Sequence, residues 1–129
     1  MRESYNNLEI VSETGTIPNV PVLNIKEKIL GKKFNLNLIY CGPKRSRELN
    51  KTYRDKDYAT NILTFPLSDT EGEIYICKSV AKKGYKEFDM NYQKFLTLLV
   101  VHGMLHLKGV DHGEEMEKLE HAYTEKFYK

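Results

Sequence analysis

The sequence has 129 residues, of which 40% are apolar and 29% are charged, and its net charge is +2. A chain of this length and balance forms one soluble globular domain that needs no disulfide or metal for its core, so we expect a single domain over residues 1–129. The densest apolar stretch, residues 95–101, contains seven residues. A membrane span needs about 20, so a transmembrane protein is excluded.

Hydrophobic periodicity predicts eight elements, in chain order a strand at residues 8–11, a helix at 22–30, a strand at 34–40, a helix at 46–53, an extended segment at 61–65, a strand at 73–77, and helices at 91–107 and 113–128. Gly31 and Gly109 are suited to end helices, since glycine adopts the left-handed conformation at little cost. Pro66 excludes a fully paired central strand at the end of 61–65. The mixture predicts an α+β fold with one mixed sheet.

Neither export nor disulfide bonding is expected. The first residues, M-R-E-S-Y-N-N, contain no apolar signal region. Cys41 and Cys77 form no C-x-x-C pair, and we interpret both as small buried hydrophobic residues. A reducing, cytoplasmic location follows from this interpretation.

The charge is unevenly distributed. Ten Lys/Arg residues against four Asp/Glu residues lie between positions 24 and 60, whereas positions 101–129 are acidic. A basic segment is compatible with a polyanionic partner, although charge alone favours a solvated surface.

Three of the four histidines lie within eleven residues, in the segment H-G-M-L-H-L-K-G-V-D-H at positions 102–112. His102 and His106 are four residues apart, so a helix places both on one face. Gly109 lets the chain reverse, which brings His112 to the same point. Three nitrogen ligands with a fourth position left for water are typical of catalytic zinc sites. We therefore predict one metal ion, Zn²⁺, with Ni²⁺ and Fe²⁺ as open alternatives. His121 has no partner at ligand spacing.

The spacing also matches H-E-x-x-H-x-x-G-x-x-H at the three histidines and the glycine. Gly103 stands where zinc proteases of that pattern carry a glutamate as general base. A zinc protease that lacks the usual base therefore stays open as one interpretation.

The histidine segment resembles the H-G-x-L-H-L-x-G-Y-D-H signature of the YbeY family of metal-dependent endoribonucleases. Three further blocks are similar to that family in the same order: L-N-K-T-Y-R-D-K-D at positions 49–57, T-N-I-L-T-F-P at 60–66 and G-E-I at 72–74. The sequence departs from the family pattern at Val110, Thr64 and Glu73, where Tyr, Ser and Asp are usual.

The resemblance implies an α+β fold in which a sheet backs the ligand helix. It implies cleavage of single-stranded RNA, with roles in ribosomal RNA maturation and ribosome quality control. Two alternatives stay open: the zinc protease that lacks the usual base, and a non-catalytic ribosome- or RNA-binding module with a structural metal. The zinc ligands would be His102, His106 and His112, and Arg54 would be the second catalytic residue. A guanidinium can clamp phosphate oxygens bidentately, which a lysine cannot.

Other side chains are candidates for supporting roles. Asp111 either orients a metal-bound imidazole or caps the last helix. The candidates for contact with the RNA backbone are Lys51 and Lys56, together with Lys44, Arg45 and Arg47. No aromatic signature of an RNA-recognition motif is present, so the sequence predicts no base readout.

Overall fold

The computed structural model describes residues 1–129. Its elements, in chain order, are β1 (Arg2–Tyr5), β2 (Leu8–Ser12), α1 (Val22–Ile29), β3 (Asn35–Cys41), α2 (Pro43–Arg54), β4 (Ile62–Ser68), β5 (Glu71–Cys77), α3 (Lys78–Gly84), a 3-10 helix (Tyr85–Phe88), α4 (Tyr92–Lys108) and α5 (Glu114–Phe127). All eight predicted elements are present, while β1, α3 and the 3-10 helix were not predicted.

The five strands form one sheet in the order β1-β2-β3-β5-β4. Strands β2, β3 and β5 are parallel, and β1 and β4 are antiparallel strands at the two edges. The predicted α+β fold with a mixed sheet is confirmed. Strand β4 contains Pro66 and its pairing shifts register between Pro66 and Ser68, which an edge strand tolerates.

Alternation along the strands separates two faces of the sheet. In β3, Leu36, Leu38 and Tyr40 are fully buried, whereas the residues between them are only partly buried. Ile74 and Ile76 of β5 lie on the same face, which packs against the helices to form the main hydrophobic core. Helix α4 contributes the largest share of helical core residues, from Phe95 to Leu105.

Two glycines allow α4 to approach the sheet closely. A Cβ atom at Gly103 would lie 3.0 Å from Ile74 Cδ1 and 3.1 Å from Ile62 Cδ1, and one at Gly72 would lie 2.8 Å from Leu107 Cδ2. Gly72 was predicted to precede its strand, but it lies inside β5, where it pairs with Leu36 of β3. A side chain at this position would meet Leu107 of α4. Helix α4 is thus seated directly on β4 and β5.

The ends of α2 and α4 follow from their capping residues. The Asn91 side chain accepts a hydrogen bond from the Lys94 amide at the start of α4, and Gly109 ends that helix with φ of 100°. Helix α2 begins at Pro43, three residues before the predicted start. Proline is well suited to a first helical position, where its missing N–H costs nothing.

Both cysteines are buried and unbonded, as predicted. Cys41 and Cys77 are paired in register on β3 and β5. Burial raises the pKa of the Cys41 thiol to about 12, so it stays protonated and unreactive near neutral pH. None of the helices has the length and apolar character needed to span a membrane.

Candidate metal centre

The three predicted histidines converge on one point. His102 and His106 lie one turn apart on α4, with their Nε2 atoms 2.9 Å from each other. His112 lies in the turn between α4 and α5, and its ring centroid is 4.6 Å from that of His106 and 5.6 Å from that of His102. The left-handed Gly109 reverses the chain, as the sequence suggested, and so returns His112 to the helix that carries the other two.

The donor set fits a metal ion. One ligand nitrogen from each histidine lies within 4.8 Å of the other two. Nitrogens bound at 2.0–2.1 Å to one tetrahedral ion are ~3.3 Å apart, so small side-chain movements would bring all three into range. Burial lowers the pKa of His106 below its ordinary value, and the neighbouring His102 and His112 lower it further. The neutral imidazole is the form that binds metals.

Glu120 of α5 orients His102. Its Oε1 atom lies 2.5 Å from His102 Nδ1, and the two side chains are 18% and 21% exposed. A carboxylate here accepts a hydrogen bond from the Nδ1–H group, which leaves the Nε2 lone pair of His102 facing His106. The sequence analysis did not find Glu120. Its one available signal is its position four residues after the buried Met116, on the side of α5 that faces α4.

Asp111 makes neither of the contacts predicted for it. Its side chain is exposed and forms no hydrogen bond with a histidine. Helix α5 begins after Gly113, whose φ is 141°, without a side-chain cap. In this structure the carboxylate beside a predicted ligand is that of Glu120.

The histidines form one wall of an open cleft of about 580 Å³. Arg54, the last residue of α2, also lines this cleft, together with Tyr53. Arg54 is exposed and forms no ion pair within the chain. The Tyr53 ring packs edge-on against Phe65 of β4, at 5.2 Å between centroids, which holds the end of α2 at the sheet edge. The cleft therefore combines three imidazoles with one unpaired guanidinium.

Comparison with known proteins places the chain in a family. The family model described as "Endoribonuclease YbeY" matches residues 11–128. The chain belongs to the YbeY family. The resemblance inferred from the sequence motifs is thereby confirmed, and the histidine segment lies within the matched region.

Curated relatives named endoribonuclease YbeY share about a third of their residues with this chain. The Thermotoga neapolitana protein is 38% identical over 101 residues, covering 73% of this chain and 68% of its own. The Thermotoga maritima protein is 35% identical over 119 residues, covering 81% of this chain and 79% of its own. A Thermotoga maritima protein solved in solution is 32% identical with a TM-score of 0.66, covering 94% of this chain and 89% of that chain.

In this YbeY-family chain, two buried polar residues of α2 hold the loop that forms the floor of the cleft. Ser46 Oγ donates to the Thr60 carbonyl at 2.7 Å and accepts from the Thr60 amide at 2.9 Å. Asn50 Nδ2 donates to the Tyr58 carbonyl at 2.9 Å. Ser46 and Asn50 are four residues apart on the inner face of α2, a pattern that could have signalled this role. Thr60 is thereby fixed near Arg54.

The other basic candidates lie outside the histidine cleft. Lys44 and Lys51 line a separate groove on α2 with Arg47, and Arg47 pairs with Asp57 at 2.7 Å. Arg45 pairs with Glu13 at 2.8 Å. Lys56 is exposed after the end of α2. Among the predicted cationic residues, Arg54 alone shares a cleft with the histidines.

Proposed function

We propose that this chain is a metal-dependent endoribonuclease that cleaves single-stranded RNA with one Zn²⁺ ion held by His102, His106 and His112. The observation that carries the proposal is the meeting of three imidazoles and Arg54 in one cleft of a YbeY-family chain. The proposed substrate is ribosomal RNA in the cytoplasm, with roles in its maturation and in ribosome quality control, as the family resemblance implies.

Each side chain has a distinct task in this proposal. A bound zinc ion would polarise a phosphoryl oxygen and make water a stronger nucleophile at neutral pH. Arg54 binds the two non-bridging oxygens of the same phosphate, and its hold tightens as negative charge develops on them. Glu120 keeps the His102 ring in the tautomer and orientation that present Nε2 to the centre.

The geometry gives a reason for the glycine at position 103, which weakens the protease alternative. Gly103 is buried against Ile74 and Ile62, so a side chain at this position would meet the sheet rather than the cleft. A glutamate there would begin with its Cβ crowded against the side chains of Ile74 and Ile62, which is a poor position for a general base.

The non-catalytic alternative is also less well supported. Structural zinc sites use four protein ligands in a closed tetrahedron, whereas this group has three histidines that border an open cleft. An open position next to an unpaired arginine is the arrangement that a phosphodiester substrate requires.

The first test concerns the substrate class. We expect the protein to cleave a single-stranded RNA oligonucleotide, to cleave the same oligonucleotide poorly when it is annealed to its complement, and to leave casein intact. Cleavage should fall steeply as salt rises, because lysine and arginine contacts with phosphate release counterions. Chelation should abolish it, and re-addition of Zn²⁺, Ni²⁺ or Fe²⁺ one at a time identifies the effective metal.

Two results would contradict the proposed activity. Casein hydrolysis that is lost in His102→Ala while RNA stays intact would support a protease. RNA that is bound tightly by the metal-loaded protein but never cut would support the binding module.

Replacement of Glu120 tests the orientation of His102. Glu120→Ala is expected to weaken metal affinity ~10- to 100-fold, the usual effect of removing a carboxylate behind a metal-bound histidine. Glu120→Gln keeps an acceptor oxygen without the charge and should recover part of this loss. The measurement is competition with a chelator of known affinity, which needs no substrate.

Glu115→Ala is the matched control for this experiment. It removes the same charge from an exposed position on the same helix, and Glu115 forms no hydrogen bond or ion pair with a histidine. Metal affinity that is equal in Glu120→Ala and Glu115→Ala would mean that the Glu120 contact does not support the metal.

A further inference from the structure

A second cleft adjoins the histidines, between the 3-10 helix, α4 and α5. It encloses about 340 Å³, and it shares His102, His112, Asn61 and Ile62 with the cleft that contains Arg54. Its remaining walls are largely apolar and include Phe88, Phe95, Leu98, Leu99 and Met116. The candidate metal centre thus borders both a polar cleft and an apolar one.

Phe88 gives the apolar cleft an open aromatic surface. The Phe88 side chain is 49% exposed, although most large apolar residues of the chain are buried. Its ring stacks on that of Phe95, with centroids 4.7 Å apart and planes 28° from parallel, and Phe95 is 1% exposed. A ring that is supported on one face and open on the other is a platform on which a further planar group can stack.

The charges of the two clefts differ in sign. Arg54 lies in the first cleft, whereas Glu117 and Glu120 are the charged side chains of the second, which has no lysine or arginine. Phosphate is therefore attracted to the first cleft and repelled from the second. A nucleotide that spans the histidines would place its phosphate beside Arg54 and its uncharged base against the apolar walls.

We propose that the second cleft is a nucleobase subsite, in which the base of a nucleotide next to the cleaved bond stacks on Phe88. This inference rests on the proposed function, since it assumes that an RNA phosphodiester binds at the histidines. A base can enter the cleft only when it is unpaired and turned out of a helical stack. The subsite thus supplies a physical reason for preferring single strands over duplexes. Any base can stack on an aromatic ring. The subsite therefore favours single-stranded over double-stranded RNA, without a preference for one base sequence.

The experiment uses abasic substrates. In a single-stranded oligonucleotide whose cleaved bond has been mapped, an abasic ribose is placed at each position on either side of that bond in turn. One position should lower kcat/KM ~10-fold for the parent protein, within the range measured for the loss of one base–aromatic stack. On intact RNA, Phe88→Leu should have a kcat/KM lowered by the same factor. The abasic ribose should lower the kcat/KM of Phe88→Leu no further, because the two changes remove the same contact.

Two variants control for structure. Phe88→Tyr keeps the ring and should cleave intact RNA at nearly the parent rate. Tyr5→Leu removes an exposed ring from β1, at the opposite edge of the sheet from β4, and should change neither substrate's cleavage. The subsite is refuted if Phe88→Leu cleaves intact RNA with the kcat/KM of the parent. It is also refuted if the abasic ribose lowers kcat/KM by the same factor in the parent and in Phe88→Leu.

Photocrosslinking separates a failure of the subsite from a failure of the proposed function. RNA that is uniformly substituted with 5-bromouridine is irradiated on the metal-loaded parent protein, and the modified residue is identified by mass spectrometry. An adduct at Phe88 in a protein that does not cut RNA would sustain the subsite while the proposed nuclease activity fails. Adducts confined to other residues, such as Tyr53, in a protein that does cut RNA would overturn the subsite alone.

Discussion

Replacing both His102 and His106 by alanine should remove the bound metal and abolish RNA cleavage. The two imidazoles have their Nε2 atoms 2.9 Å apart, so together they form the part of the ligand set that α4 holds in place. With only His112 left, the centre cannot retain an ion. A metal ion contributes several kcal/mol to a hydrolytic transition state, so we expect a loss of ~10³-fold or more in kcat/KM.

Metal content and thermal stability measure this effect without relying on activity. Elemental analysis should give about one metal per chain for the parent and none for the double variant. Chelation should lower the Tm of the parent, because an ion that binds only the folded chain stabilises it, and should leave the Tm of the double variant unchanged. An undiminished metal content in the double variant would show that the ion lies elsewhere.

His121→Ala is the matched control for the histidine variants. His121 is exposed on α5 and is not part of the histidine group, so its loss should change neither metal content nor cleavage. A metal that is lost equally in His121→Ala would point to adventitious surface binding.

The sequence predicted the elements whose signals are local. Residues 91–107 were predicted to be helical because their apolar residues recur at the helical period and Gly109 follows as a terminator, and α4 occupies almost these bounds. Strand β1 was missed because its four residues are all exposed and show no alternation of burial. Its strand conformation comes from pairing with β2, reinforced by an ion pair from Arg2 to Glu9, which no local pattern encodes.

The candidate site also contains residues with a local signal in the sequence and residues without one. The three histidines could be predicted because ligand spacing on one helix and one turn is a local property of the sequence. Glu120 meets His102 only because α5 folds back on α4, 18 residues further along the chain. Phe88 joins the second cleft through its packing on Phe95 at the start of α4. Contacts between elements of this kind depend on the packing of the whole domain.

Arg54→Ala should lower RNA cleavage ~10²-fold or more while metal content and Tm stay at parent values. The reason is that Arg54 shares the cleft with the histidines but forms no hydrogen bond with them. Its exposed side chain also forms no ion pair whose loss would destabilise the fold. Removing one preorganised donor to a transition state has an effect of this size. The loss should appear mainly in kcat if the guanidinium holds the phosphate more tightly as charge develops.

Two further variants decide whether the planar fork or the positive charge matters at position 54. Arg54→Lys should recover little, since an ammonium group cannot bind two phosphate oxygens in one plane. Lys51→Ala removes a positive charge from the same helix, one turn earlier and in the neighbouring groove, and should weaken RNA binding only modestly. Equal losses of RNA cleavage in Arg54→Ala and Lys51→Ala would show that Arg54 acts only as a surface charge. A parent rate in Arg54→Lys would show that its charge, rather than its geometry, serves the reaction.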